Sequence, residues 1–185
     1  MKFLIASSIL LLAANSSIVR AEDETMYKPK PMNLLQEQDG IGSNIVDGIE
    51  VDPPFKYEYM VYAGGCGASL VAPNVVLSAA HCGNGYISQV QIGRHNINDG
   101  SEDYETFSVV EEVKHPNYGG GSIDYDYMML RLSGSSSRTP VSLDTGDVPL
   151  DSGRDVIAMG WGTTFSGGSS FAKLLELEVD LKSQA

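Results

Sequence analysis

The sequence predicts an all-β protein built of short strands. Three observations carry that expectation. From position 45 onward, short apolar runs alternate with clusters of Gly, Pro, Asn and Asp. Two runs, 88–93 and 174–181, alternate apolar and polar residues with the period of a strand. Glycine is abundant, at 20 of 185 residues, as tight turns with positive φ require.

Taken in order, the chain begins with Lys2 and then the apolar run FLIASSILLLAA over 3–14. Such a run has signal-peptide length and is short for a bilayer span. Val19 and Ala21 place modest or small side chains before a cut after residue 21. Residues 1–21 are expected to be a secretory signal peptide; a buried N-terminal helix is the alternative. The sequon at Asn15 lies inside it, and no other follows. Residues 22–44, EDETMYKPKPMNLLQEQDGIGSN, are charged, contain Pro29 and Pro31, and lack periodicity. They are expected to form an extended pro-segment or linker.

Runs 57–62 and 66–71 bracket Ala63-Gly64-Gly65, a hairpin signal. A short strand is expected at 75–77, after Pro73-Asn74. In 88–93, Val90 and Ile92 share one face. Another strand spans 107–113 and ends before His115-Pro116. The run YMMLRL at 127–132 is apolar enough to be covered on both faces. Residues 133–137 are a polar Ser/Gly loop. Two further strands are expected at 155–160 and 174–181. The latter, LLELEVDL, points Glu176, Glu178 and Asp180 outward; a helix there would need four-residue apolar spacing that is not sustained. Many short strands at this spacing indicate a β-barrel or sandwich.

Composition narrows the function classes. Hydrophobic residues make up 42% of the chain, which suits a globular core. The net charge is −12, which argues against nucleic acid as a partner, because phosphate binding needs basic patches. No membrane partner is expected after signal removal, and no cofactor. The two cysteines, Cys66 and Cys82, are an even pair in a chain expected to be secreted and extracellular, so one disulfide is expected. It closes a loop of about 15 residues, worth on the order of 3 kcal/mol in the chain-entropy treatment. A zinc site of Cys66, His81 and Cys82 is the alternative. Adjacent His and Cys are awkward ligands for one tetrahedral ion, and no fourth ligand stands out, so no metal is expected.

Three polar positions are candidates for chemistry. His81 follows the apolar run 75–77 in VLSAAHC, beside Cys82. Imidazole titrates near neutrality, as a general base must. Asp126 heads the apolar run of DYDYMMLRL. A carboxylate there is costly to bury without a hydrogen-bond partner, and an imidazole carrying its proton on Nδ1 is such a partner. Asp124 reads as a solvated turn residue. The third candidate, Ser152 in VPLDSGR, is expected to be a loop serine among turn residues Pro149, Asp151 and Gly153.

Together LSAAHC, DYDYMMLRL and MGWGTT resemble the marker segments of the chymotrypsin/trypsin-like serine endopeptidases (peptidase S1). IVDG at 45–48 is similar to their activated N-terminus, and CGASLVAPNVVLSAAHC to their first disulfide loop. GRHNI and VKHPNY also fit, and the resemblance runs from Ile45 to Ala185. The Ser-His-Asp template of that family separates base from acid by about 45 residues; here 126 − 81 = 45. The resemblance implies that His81 is the general base, Asp126 the orienting acid and Ile45 the activation N-terminus. It also implies a double β-barrel with the active site in the cleft between barrels. Partners would be protein or peptide substrates and protease inhibitors.

The chain departs from the family pattern in places. Asn44 precedes Ile45 where a basic residue is usual. Arg94 stands where the first calcium ligand, a Glu, is typical, so no calcium loop is expected despite Asn96 and Glu105 nearby. Val156 stands where many relatives have a cysteine. In the template the nucleophile follows the acid by roughly 90 residues, which would be about position 216. The sequence contains no Gly-Asp-Ser-Gly-Gly. The nucleophilic serine, the oxyanion hole and the specificity-pocket residues are therefore expected to be missing. The peptidase domain, 45–185, is expected to be incomplete at its C-terminus. Its first barrel (45–140) would be whole and its second (155–182) only begun. The expectation is a secreted serine endopeptidase zymogen represented by a truncated chain that is inactive as given. The alternative is a naturally shortened, non-catalytic homologue acting as a secreted binding or decoy protein.

Overall fold

The computed structural model describes residues 45, 47–119, 124–146, 155–163 and 171–180. The expected signal peptide, the pro-segment and the 148–154 turn with Ser152 lie outside them. Six strands close a barrel: β2 (Met60–Ala63), β3 (Cys66–Ala72), β4 (Val75–Ser78), β5 (Gln89–Ile92), β6 (Glu105–Lys114) and β7 (Met128–Leu132). Their order around it is β2-β3-β4-β7-β6-β5, with β2 and β5 paired to complete the ring. Three others, β1 (Ile49–Glu50), β8 (Asp155–Gly160) and β9 (Leu175–Asp180), form a separate antiparallel sheet ordered β1-β9-β8. The chain is all-β, with one closed barrel and part of a second sheet.

Period-two side chains explain the barrel. Val61, Leu70, Val76, Val90, Ile92 and Leu130 all point into it and are fully buried. Each such side chain contributes about 1.5–3 kcal/mol by leaving water. The β2–β3 hairpin turns on Gly64 (φ 66°) and Gly65 (φ 108°), because a two-residue loop matching strand twist needs positive φ at both positions.

Two expectations give way here. The 127–132 run is not covered on both faces: Met128, Leu130 and Leu132 are buried, but Arg131 is exposed. A closed barrel covers only its inner face, and Arg131 pairs outside with Glu111 on β6, Nε to Oε2 at 2.7 Å. Glu176 does not point into open solvent. Its carboxylate accepts from Lys56 Nζ at 3.1 Å and from the Tyr57 hydroxyl, while Glu178 and Asp180 are exposed as expected.

Strand β1 was invisible to periodicity, being only two residues long. It pairs with β9, Ile49 opposite Glu176, so the segment just after Ile45 joins the second sheet rather than the barrel. The two sheets meet over Val51, Met60, Met159, Trp161 and Leu174. The His95 carbonyl ties them, accepting from Trp161 Nε1 at 2.9 Å and from the Leu174 amide at 2.7 Å. Tyr59 packs into the same joint, and burial pushes its phenol up to about 12.

Candidate active site

His81 lies in a 3-10 turn, Ala80–Cys82, directly after β4. Cys82 is bonded to Cys66 on β3, so the turn is pinned to the barrel wall at the residue after the histidine. Asp126 immediately precedes Tyr127 and β7, and β7 pairs with β4 from Ser78↔Met128 onward. That pairing brings the two ends together although they are 45 residues apart.

The contact is two-pronged. The His81 backbone N–H donates to Asp126 Oδ1 at 2.8 Å. The ring nitrogen Nδ1 lies 2.6 Å from Oδ2. A carboxylate only accepts, so Nδ1 carries the proton and the Nε2 lone pair is the basic site. Nε2 lies 3.4 Å from Cys82 Sγ, a disulfide sulfur with no proton to give. The aspartate side chain is 9% exposed and the histidine side chain 40%. The acid is sheltered and the base is open to solvent. Such an arrangement can fix a tautomer and present a proton acceptor.

Cys66, His81 and Cys82 place ligand-type atoms within 4.8 Å of one another. The two sulfurs are joined to each other, so neither is a thiolate, and the zinc alternative loses its soft donors.

Ile45 is buried, and its backbone N–H donates to the Thr163 carbonyl at 2.9 Å. Arg94 is buried inside its own loop. It donates to Gln91 Oε1 at 2.9 Å and to the carbonyls of Asn96 and Asp99 at 2.8 and 2.9 Å. It also packs 4.0 Å over the Tyr104 ring. The loop's backbone oxygens thus face a guanidinium. Glu105, grouped with this loop by sequence proximity, instead accepts from Ser136 and Ser137. The acid that serves the loop is Glu102, bonded to the backbone N–H groups of His95 and Asn96 at 3.1 and 2.7 Å. Sequence reading passed over Glu102; the need of a buried Arg for acceptors was the signal that could have found it. It also passed over His115, whose ring stacks on Tyr125 at 4.7 Å beside Asp126. The adjacent His-Pro and the paired tyrosines around an aspartate were the available hint.

The comparisons with known proteins agree on one family. The family model described as Trypsin matches residues 45–185. A trypsin of Xenopus laevis is 38% identical over 118 residues, covering 60% of this chain and 46% of that protein. A trypsin of Squalus acanthias is 39% identical over 126 residues, covering 65% and 53%. A trypsin of Sus scrofa is 37% identical over 116 residues, covering 60% and 48%. The chain thus spans about half the length of these curated relatives. Among solved structures, one described as "Structure of GrC" superimposes with a TM-score of 0.66 at 30% identity, covering 72% of this chain and 64% of that one.

Proposed function

The chain belongs to the trypsin family, and from that premise we propose that it is the base-and-acid portion of a secreted serine endopeptidase. The single observation that carries this reading is the His81–Asp126 contact at 2.6 Å. Asp126 holds His81 in the Nδ1–H tautomer and stabilises the imidazolium formed when Nε2 accepts a proton. In acyl transfer that proton comes from a serine hydroxyl as its oxygen attacks the scissile carbonyl. The same nitrogen later returns it to the leaving amine. Protein or peptide chains are the substrates, and protease inhibitors are the expected binding partners. Cleavage after Asn44 would free Ile45 as the activation N-terminus.

The 185 residues contain no Gly-Asp-Ser-Gly-Gly. The chain by itself therefore forms no acyl-enzyme, and proteolysis belongs to a protein that also carries the nucleophile segment. A serine-directed phosphonate should leave the purified chain unlabelled; stoichiometric labelling at Ser152 would overturn the assignment. Sequencing the transcript beyond codon 185 separates the two roles. An in-frame Gly-Asp-Ser-Gly-Gly supports the endopeptidase, and a stop codon supports a secreted, non-catalytic binding protein. Among the described residues, no helix is long and apolar enough to cross a membrane.

A further inference from the structure

Asp126 sits between two exposed tyrosines. Tyr125 is 49% and Tyr127 45% exposed, while the carboxylate between them is sheltered against His81. Tyr125 has φ 59°, in the left-handed region that bulky side chains avoid. A residue stays there only when its surroundings over-determine it. Three contacts do so. The Tyr127 N–H donates to the Tyr125 carbonyl at 2.8 Å, closing a tight turn around Asp126. The His115 ring lies on Tyr125 with centroids 4.7 Å apart and planes within 9°. The same ring also meets Tyr127, again at 4.7 Å but tilted by 49°.

His115 is itself fixed from three directions. Its N–H donates to the Tyr127 carbonyl at 3.0 Å, and its carbonyl accepts from the Tyr118 N–H at 2.9 Å. Its Nδ1 accepts from the Asn117 N–H at 3.2 Å. Pro116 further restricts its backbone. The imidazole is thus a wedge anchored at the end of β6, gripping the two rings that straddle the acid at the head of β7.

We infer that His115 is a positioning residue for the His81–Asp126 pair. By stacking on Tyr125 and bracing Tyr127, it holds the left-handed turn that aims the Asp126 carboxylate at both the His81 N–H and ring Nδ1. It acts through the two tyrosine rings and not on the reacting atoms themselves. The role belongs to the ring's flat face rather than to its basicity, because the stacked contact is nearly parallel. The inference deepens the proposed function and rests on the dyad reading.

The readout is the tautomer of His81, taken from long-range proton–nitrogen correlations of the ring nitrogens in the labelled chain. This signal does not depend on slow exchange of the ring proton. In the unaltered chain Nδ1 should be the protonated nitrogen at a pH where the ring is neutral. Asp126→Asn should shift the proton toward Nε2. If the unaltered chain lacks the Nδ1–H form, or Asp126→Asn leaves it in place, the dyad reading fails and the inference falls with it. If both controls behave, His115→Ala and Tyr125→Ala should each lose the dominance of the Nδ1–H form. His115→Phe and Tyr125→Phe, which keep the stacked rings, should retain it. Alanine at 125 removes the ring while positive φ stays unfavourable for it. Tyr125→Asn removes the ring but tolerates positive φ, and should recover the Nδ1–H form relative to Tyr125→Ala. Tyr125→Ala also provides the test should His115→Ala fail to fold. An unchanged His81 tautomer in folded Tyr125→Ala overturns the positioning role alone.

Discussion

Replacing Arg94 by alanine tests whether a guanidinium organises the 94–105 loop. Arg94 is 4% exposed and Glu102, its counter-charge, 8%. Their closest approach, Nε to Oε2, is 3.4 Å; this supports charge attraction, although Nε is out of line for a hydrogen bond. Arg94→Ala removes three hydrogen bonds, to Gln91 and to the Asn96 and Asp99 carbonyls. It leaves the Glu102 carboxylate buried without its cation. Breaking a buried pair from one side costs about 3–5 kcal/mol. Glu102 keeps two backbone donors, and water can enter the vacated space, so the lower end, about 3 kcal/mol, is expected. In a chain of this size each kcal/mol moves the unfolding midpoint by about 2–4 °C, so the drop should be about 6–12 °C. Thermal unfolding followed by Trp161, the single tryptophan, reads it directly, because that ring is buried where the loop meets the second sheet. Arg94→Met with Glu102→Gln should lose less than the two single changes summed, by about 1–3 kcal/mol, since the two sites are in contact. A loss below about 1 kcal/mol for Arg94→Ala, the scale of an exposed pair, would sink the reasoning.

Three other outcomes follow from the same structure. Burial tends to raise the Glu105 carboxyl, but hydrogen bonds from Ser136 and Ser137 outweigh it and hold the group below its usual range. A folded-state value below the unfolded one stabilises the fold above the ordinary carboxylate range, and that contribution is lost as pH falls through the folded value. The gap in urea midpoint between the unaltered chain and Glu105→Gln should therefore narrow on acidification from about pH 6 to pH 3; a gap independent of pH contradicts this. Removing the Cys66–Cys82 bridge by changing both residues to serine should cost about 3 kcal/mol in denaturant unfolding, and reduction of the unaltered chain should add two hydrogens to its intact mass. Gly64→Ala should cost about 1 kcal/mol. A Cβ there meets nothing within 4 Å, so the loss would be purely backbone, and an unchanged midpoint would show that the turn had relaxed.

Much of the barrel was legible because strand identity is a local property. Each run of alternating or apolar residues between turn formers became a strand, most with ends displaced by one or two residues, although the 57–62 run is strand only from Met60. The error on 127–132 has a physical source: a half-buried methionine and a buried one look alike in sequence, and only closure of the sheet decides which side of β7 meets water. The candidate site was legible only as a pattern of separated motifs. Nothing local in VLSAAHC or DYDYMM states that their polar side chains touch.

The order of residues alone determined the short-strand character, the Gly64-Gly65 hairpin, the single possible disulfide and the absence of a Gly-Asp-Ser-Gly-Gly segment. These depend on residue type, spacing and backbone freedom within a few positions. Tertiary structure decided the rest. The β4–β7 pairing put Asp126 on His81, and β9 recruited Ile49–Glu50 into a second sheet. Arg94 became the centre of its loop, and His115 became a wedge behind the acid. Each of these joins residues far apart in the chain or sets which way a side chain faces. Both follow from how the sheets close and which apolar faces they bury, and neither is written in any one segment.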